Sequence, residues 1–431
     1  MSTILREKHQ MICWDERMEL RELKALEIAA RCHLKCQDGT WIVPSQTSPG
    51  KTYLVNIWAS PTCTCDDFQT TAKPCKHILA ARIAFERDGG KSSAIVVDTE
   101  PKRKTYKQNW PLYNRAQQTE KNRFQELLAE LCRGLVDPPQ PGVGRRRMKL
   151  ADVIFSIVFK VYTSVSSRRF ACDLQEAFDR GHISHCMNSV QVCIFLEKED
   201  ITPILKELIV RSSLPLKAIE TTFAPDSTGF STSRFHRWFD EKYGCNRSGK
   251  VFVKAHAICG VQTNIITGID ILDQYSPDCP QFAGLVNKTA ENFKIDRVCA
   301  DKAYVDHGNL DLVEKHGGTA YIPFKANSVP GAAGSVWEKM HHYYQFRREE
   351  FNAHYHQRSN IESTFSMVKA KFGDHVRSRT DTAMKNEVLC KFLCHNIVVV
   401  HQSAIELGIE PVFWPENGTE LYPSVLPFTR A

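Results

Sequence analysis

No apolar run in the 431-residue sequence approaches the roughly 20 residues that a membrane-spanning helix needs; the longest candidate, Val153 to Val158, is far shorter. The first residues, MSTILREKHQ, lack the long apolar core of a secretory signal. Neither a membrane protein nor a secreted one is expected. An acidic balance is missing too: 56 Lys and Arg against 49 Asp and Glu leave a net charge of +7, which permits a polyanionic partner. Cysteine is the residue not in short supply. The 16 cysteines are scattered over a large chain, so free thiols in a reducing cytoplasm are expected rather than a disulfide framework. Hydrophobic content of 42% and charged content of 24% are those of a globular chain, long enough for two or three domains.

Residues 14 to 31 have helical composition, with Leu20, Leu23 and Ile28 on one stripe. Two strand-like runs follow, Gly39 to Pro44 and Thr52 to Ala59, separated by the turn-rich SQTSPGK. Then come Cys63-Thr-Cys65, a polar loop, and Cys75-Lys-His77 at the entrance to HILAARIAFERD. Two cysteines one residue apart on an extended segment face the same way, and the second pair closes a tetrahedron. Three thiolates and an imidazole make a closed structural site for one zinc ion, with no open position for catalysis. Zinc pairs usually enclose two to four residues, and the single-residue spacing here resembles the SWIM zinc finger, a ββα unit expected over about residues 15 to 88 within a domain of residues 1–88. In that family the module binds DNA or protein, and both remain open here.

Residues 89–149 read as a basic linker, with Lys102, Arg103 and Lys104 exposed and one helix at Glu120 to Cys132. Arg145, Arg146 and Arg147 suit either a phosphate backbone or a solvated tether. Residues 150–217 read as three or four helices. LADVIFSIVFKVY is apolar nearly all round and therefore buried, and Ser166 caps a helix carrying Arg168 and Arg169 in its first turns. This unit is either a helix-turn-helix reader of DNA or a packing platform.

From residue 218 strands take over. The order β-β-β-α-β-α-β-α, running from AIETTFA through Lys250 to Ile258, Asn264 to Leu272, Arg297 to Ala300 and Thr319 to Phe324, is that of a ribonuclease-H-like mixed five-stranded sheet with flanking helices, over residues 218–405. A tail follows at 406–431. In that order Asp226 ends the first strand and Asp301 the fourth, on neighbouring strand ends. The segment HYHQRSNIESTFSMVKAKFG reads as one helix, placing Tyr355, Arg358, Glu362 and Lys369 along one side. Taken alone, that side also suits a solvated face of i,i+4 charge pairs. Three converging carboxylates repel one another unless cations hold them, and two magnesium or manganese ions about 3.5–4 Å apart serve both oxygens of an in-line phosphoryl displacement. Lys254, His256 and Lys302 fall near the site and read as ordinary strand-edge residues.

Asp226, the ADKAY segment at Asp301 and the Tyr355-Arg358-Glu362-Lys369 spacing resemble the DDE transposases of prokaryotic insertion sequences, in the YREK group, over about residues 145 to 405. The resemblance implies an enzyme with Asp226, Asp301 and Glu362 as catalytic magnesium or manganese ligands. It would nick double-stranded DNA at terminal inverted repeats and join the 3′-hydroxyl to target DNA. Arg358 and Lys369 would hold phosphates and Tyr355 the strand end. A homodimer in the synaptic complex and a cytoplasmic, nucleoid-associated place in a prokaryote are implied as well. The stretch between Asp301 and Glu362 is too short for the all-β insertion of some relatives, and an N-terminal SWIM finger is not general in the group. The competing readings are a transposase-derived DNA-binding regulator, a zinc-dependent interaction adaptor without catalysis, and a nuclease that cuts without joining.

Overall fold

The computed structural model describes residues 20–32, 34–46, 50–58, 60–87, 109–140, 142, 147–232, 252–272 and 274–414. The chain divides into two compact units, Met1–Lys107 and Gln108–Ala431.

The first unit contains α1 (Leu20–Arg31), β1 (Lys35–Gln37), β2 (Thr40–Pro44), β3 (Thr52–Asn56), β4 (Thr62–Cys63), α2 (Asp66–Thr71) and α3 (Lys76–Arg87). The strands form one antiparallel sheet in chain order. Strand alternation turns Trp41, Val43 and Val55 inward, where they share a core with Ile28 of α1 and Ile78 and Ala81 of α3. The two expected strands are β2 and β3; the short β1 and β4 widen the sheet to four. Lys102, Arg103 and Lys104 lie outside the described residues, as does the helical expectation for residues 14–19.

The second unit begins with α4 (Trp110–Arg133), α5 (Leu150–Thr163), α6 (Ser167–Asp179), α7 (Ser189–Leu196) and α8 (Ile201–Ser213). Asn109 caps α4, its side chain accepting from the Leu112 amide, and Pro111 sits in the first turn. The helix therefore starts at Trp110 rather than Glu120. Phe124, Leu127, Leu128 and Leu131 place its apolar face in the main core, with α5. Helices α6 and α7 start where the sequence indicated, at Ser166 and at an Asn188–Gln191 capping box.

Five strands follow or intervene: β5 (Thr222–Ser231), β6 (Phe252–Gly260), β7 (Ile266–Leu272), then α9 (Gln281–Ala290), β8 (Arg297–Cys299), α10 (His307–Lys315) and β9 (Thr319–Tyr321). The order is β7-β6-β5-β8-β9, antiparallel on the β5-β6-β7 side and parallel on the β5-β8-β9 side. This is the ribonuclease-H-like mixed sheet the element order indicated. The chain closes with α11 (Val336–Phe346), α12 (Arg348–Tyr355), α13 (Ser359–Phe372) and α14 (Asp381–Leu407). Both sheet faces are covered. Ala224 and Phe230 of β5 pack with Ile361, Phe365 and Phe392 on one face, while Phe223 packs with Phe282, Leu285 and Leu310 on the other.

By length and composition α14 is apolar enough to cross a membrane, which the charged Glu387 and Lys391 within it obscure in the sequence. Here it is a core helix, packed against α4, α5 and α8. Its polar side chains are matched one by one. The buried Asn396 donates to the carbonyls of Ile209 (3.1 Å) and Ile266 (2.8 Å) and accepts from the Ile266 amide (2.9 Å), joining α14 to α8 and β7. Such pairing suits a protein interior. The 14 described cysteines are all free.

Candidate zinc centre and candidate catalytic edge

Cys63 lies on β4, Cys65 caps α2, Cys75 immediately precedes α3, and His77 stands in the first turn of α3. All four are buried, and their donor atoms lie within 4.8 Å of one another. His77 turns Nδ1 inward, 3.9 Å from the sulfurs of both Cys63 and Cys75, with the Tyr53 ring tilted against its own, centroids 4.5 Å apart. The Cys75 thiol is pushed down to about 3, chiefly because Cys63 donates to it; Cys63 is raised by the same contact. The four donors fit zinc.

The carboxylates of the second unit come from three separate elements. Parallel pairing sets Thr222 opposite Arg297 and Phe223 opposite Val298. The same offset carries Asp226 level with Asp301 where β8 has ended. Asp226 does not end its strand, since β5 continues to Ser231; Asp301 instead begins a 3-10 turn, accepting from the Lys302 amide at 2.7 Å. The alternation of β5 puts Asp226 on the side of Ala224 and Phe230, the side covered by α13.

The Tyr355-to-Lys369 segment is not one continuous helix. Tyr355 ends α12, His356–Arg358 form a 3-10 turn, and α13 starts at Ser359. That tighter turn brings Arg358 over the sheet, where one guanidinium nitrogen lies 3.6 Å from Asp226 and another 2.7 Å from Glu362. Arg358 therefore joins two of the three acids. The far end of α13 is pinned to β5: Ser231 donates to the Asp374 carbonyl and accepts from the Val376 amide. Gly373, at φ +84°, makes the turn, and the buried Lys391 ammonium donates to the Gly373 and His375 carbonyls.

Burial pushes the Asp226 carboxyl up to about 6, with the charges of Asp278 and Glu362 adding and the Ser227 amide and Arg358 opposing. Tyr355 lies near enough to Asp301 and Arg358 to feel both charges. Lys369 faces the Phe230 ring at 5.4 Å, and burial lowers its ammonium to about 8. Glu362 remains more than half exposed. Among the described residues the carboxylates do not close to the spacing of the zinc donors, with Arg358 standing between two of them.

The other candidates lie elsewhere. Arg168 and Arg169 are exposed in the first turn of α6, and Arg147 lies ahead of α5 with its amide donating to Gln140. Arg145 and Arg146 fall outside the described residues. Lys254 and His256 are not strand-edge residues, being buried on β6, an interior strand between β7 and β5. Their partner, Asp278, went unnoticed in the sequence; Lys254 Nζ reaches its Oδ1 at 2.8 Å and His256 Nδ1 lies 3.4 Å away. Its only local mark is the turn-like setting Ser276-Pro-Asp-Cys-Pro280.

Comparison with known proteins follows the same division. Residues 218–397 match the family model described as transposase DDE domain, and residues 53–84 match the SWIM zinc finger. A cryo-EM structure of the piggyBac transposase synaptic complex with hairpin DNA aligns over 66% of this chain and 76% of that one, at 11% identity and a TM-score of 0.35. No curated protein matches the chain.

Proposed function

Because the chain carries a transposase DDE domain and a SWIM zinc finger, we propose that it is a DNA transposase. In this reading it nicks the ends of a mobile element and joins the freed 3′-hydroxyls to target DNA. What supports this reading is the placement of Asp226 on β5, of Asp301 just past the end of the adjoining β8, and of Glu362 on α13, with Arg358 3.6 Å from Asp226 and 2.7 Å from Glu362. A carboxyl as buried as Asp226, raised by neighbouring acids, suits a cation site. Asp226, Asp301 and Glu362 would hold magnesium or manganese. Bound there, such ions lower the pKa of a water or 3′-hydroxyl and steady the leaving oxygen.

The chain's own residues do the rest. Arg358 lies beside both Asp226 and Glu362, so a phosphate arriving at this edge finds a guanidinium able to turn toward it and leave the acids free. Lys369 offers a second cation further along α13, and Tyr355 a ring beside Asp301 for the strand end. Arg145, Arg146, Arg147, Arg168 and Arg169 would bind phosphates of the duplex. The zinc ion orders the first unit, whose partner is DNA or protein. Two DNA ends call for a homodimer at synapsis.

The test is a cleavage and joining assay on duplexes carrying the inverted repeats that flank the reading frame, with magnesium or manganese. Wild-type protein should nick and join, and Glu362→Gln should do neither while still binding the same duplex. Strand joining by the Gln variant would remove Glu362 from the mechanism. Binding without any cleavage by the wild type would leave a DNA-binding regulator.

A further inference from the structure

A cavity of about 440 Å³ opens in the second unit between α5, α7 and the segment that joins α13 to α14, and none of the three acids lines it. Its size is that of a small-molecule site. Val192, Leu196 and Phe372 give it an apolar wall, and Lys160, Arg377, Arg379 and Lys391 give it four cations. Only two carboxylates on the wall answer them. Glu197 is exposed, and Glu387 is already engaged, accepting from the Arg377 and Ser378 amides.

The segment that carries the two arginines is fastened from α14 by buried charges. Lys391, 2% exposed, donates to the Gly373 and His375 carbonyls at 3.0 and 2.6 Å, while Glu387 holds the next two amides. Backbone carbonyls and amides are thus satisfied from one side, yet neither the Arg377 nor the Arg379 guanidinium has an acid or a hydrogen-bond partner among the described residues. Lys160 donates to a single carbonyl, that of Val165, at 2.6 Å. Burial lowers the Lys160 ammonium and takes that of Lys391 to about 8, and the charge of Arg377 pushes both the same way. Like charges gathered round one cavity repel, and an anion among them removes the repulsion.

The walls narrow the choice of anion. Guanidinium forks match the oxygens of a phosphate. Inorganic phosphate would use the cations alone, whereas a nucleotide also lays its sugar and base against Val192, Leu196 and Phe372. We propose that this cavity is a nucleotide site, in which Arg377 and Arg379 grip the phosphate, Lys160 and Lys391 add charge, and the apolar wall takes the sugar and base. A free nucleotide and a nucleotide within a DNA strand present the same groups. The cavity draws on none of Asp226, Asp301 and Glu362, so it stands or falls apart from the proposed function.

The experiment uses Cys193, an exposed thiol on the cavity wall, as the reporter. Its alkylation by iodoacetamide is followed in the full-length, zinc-loaded protein by peptide mass spectrometry, with Cys172, exposed on α6 and not on this wall, as the internal control. The probes are dAMP, deoxyadenosine and a single-stranded oligonucleotide. Protection of Cys193 by dAMP would show a site for free nucleotides, and protection by the oligonucleotide alone a site for a strand; Cys172 should react unchanged in both. Deoxyadenosine, lacking the phosphate, should protect far less than dAMP. Arg377→Ala with Arg379→Ala should weaken the protecting ligand roughly tenfold or more, with an unaltered thermal melt, because neither guanidinium has a partner in the fold. Equal protection by dAMP and deoxyadenosine, protection that survives the double substitution, or none by either dAMP or the oligonucleotide would each overturn the assignment.

Discussion

The zinc centre and the proposed catalytic edge are both sets of side chains suited to metal ions, yet they are assembled in opposite ways. Cys63, Cys65, Cys75 and His77 span 15 residues of chain and meet through one short loop and one helix start. Asp226, Asp301 and Glu362 span 137 residues, and only the sheet and a helix pinned to β5 bring Glu362 within reach, through Arg358, of Asp226. A local site depends on its ion for its fold. A dispersed site is held by a core that exists without it.

The sharpest way to break this contrast is to remove zinc. A chelator, or Cys75→Ser, should unfold the first unit, since structural zinc contributes on the order of 10 kcal/mol to such folds. Limited proteolysis should then cut within residues 35–87 and spare residues 150–407. Removing magnesium should alter neither region's protection. Loss of the second unit on zinc removal would contradict the division.

Next in size is the scaffold. Asn396→Ala leaves the Ile266 amide and two carbonyls without partners in a dry interior, and should cost about 3 kcal/mol. Denaturant unfolding would show it in the second unit alone.

Asp226→Asn should act in the opposite direction on stability. The folded carboxyl titrates near 6 and the unfolded one near 3.8, so the native state binds the extra proton between those values and loses stability as pH rises through them. The neutral amide removes that penalty, giving up to about 2 kcal/mol at pH 7 while strand joining is lost. A melting temperature that falls at pH 7 would refute the burial argument.

The smallest effect concerns Lys369. With its ammonium lowered to about 8 by burial, DNA affinity should weaken as pH rises through 8, because the uncharged amine no longer attracts phosphate. Lys369→Arg should flatten that profile. Lys369→Ala should lower the salt dependence by about one counterion. Binding titrations at pH 7 and pH 9 measure both.

Much of this was legible from local pattern. The four zinc donors, the capped starts of α6 and α7 and the order of strands follow from spacing, caps and alternation, which neighbouring residues set among themselves. The failures share a cause. The strand at Asp226 looked finished because Pro225, Asp226 and Gly229 are turn formers, but pairing with β6 along nine positions overrides that preference. The 3-10 turn at His356–Arg358 left no mark in the helical periodicity, and α4 looked like an insert because its apolar face has meaning only against α5 and α14.

From the amino-acid order alone came the four zinc donors, the zinc unit and the succession of helices and strands, because each is fixed by interactions within a few residues. That Asp226 sits within its strand, that Arg358 lies between Asp226 and Glu362, and that Asp278 pairs with the buried Lys254 ahead of α9 were decided by the folded chain. Those relations depend on register and on the charge that burial leaves unscreened, and neither exists until distant segments pack.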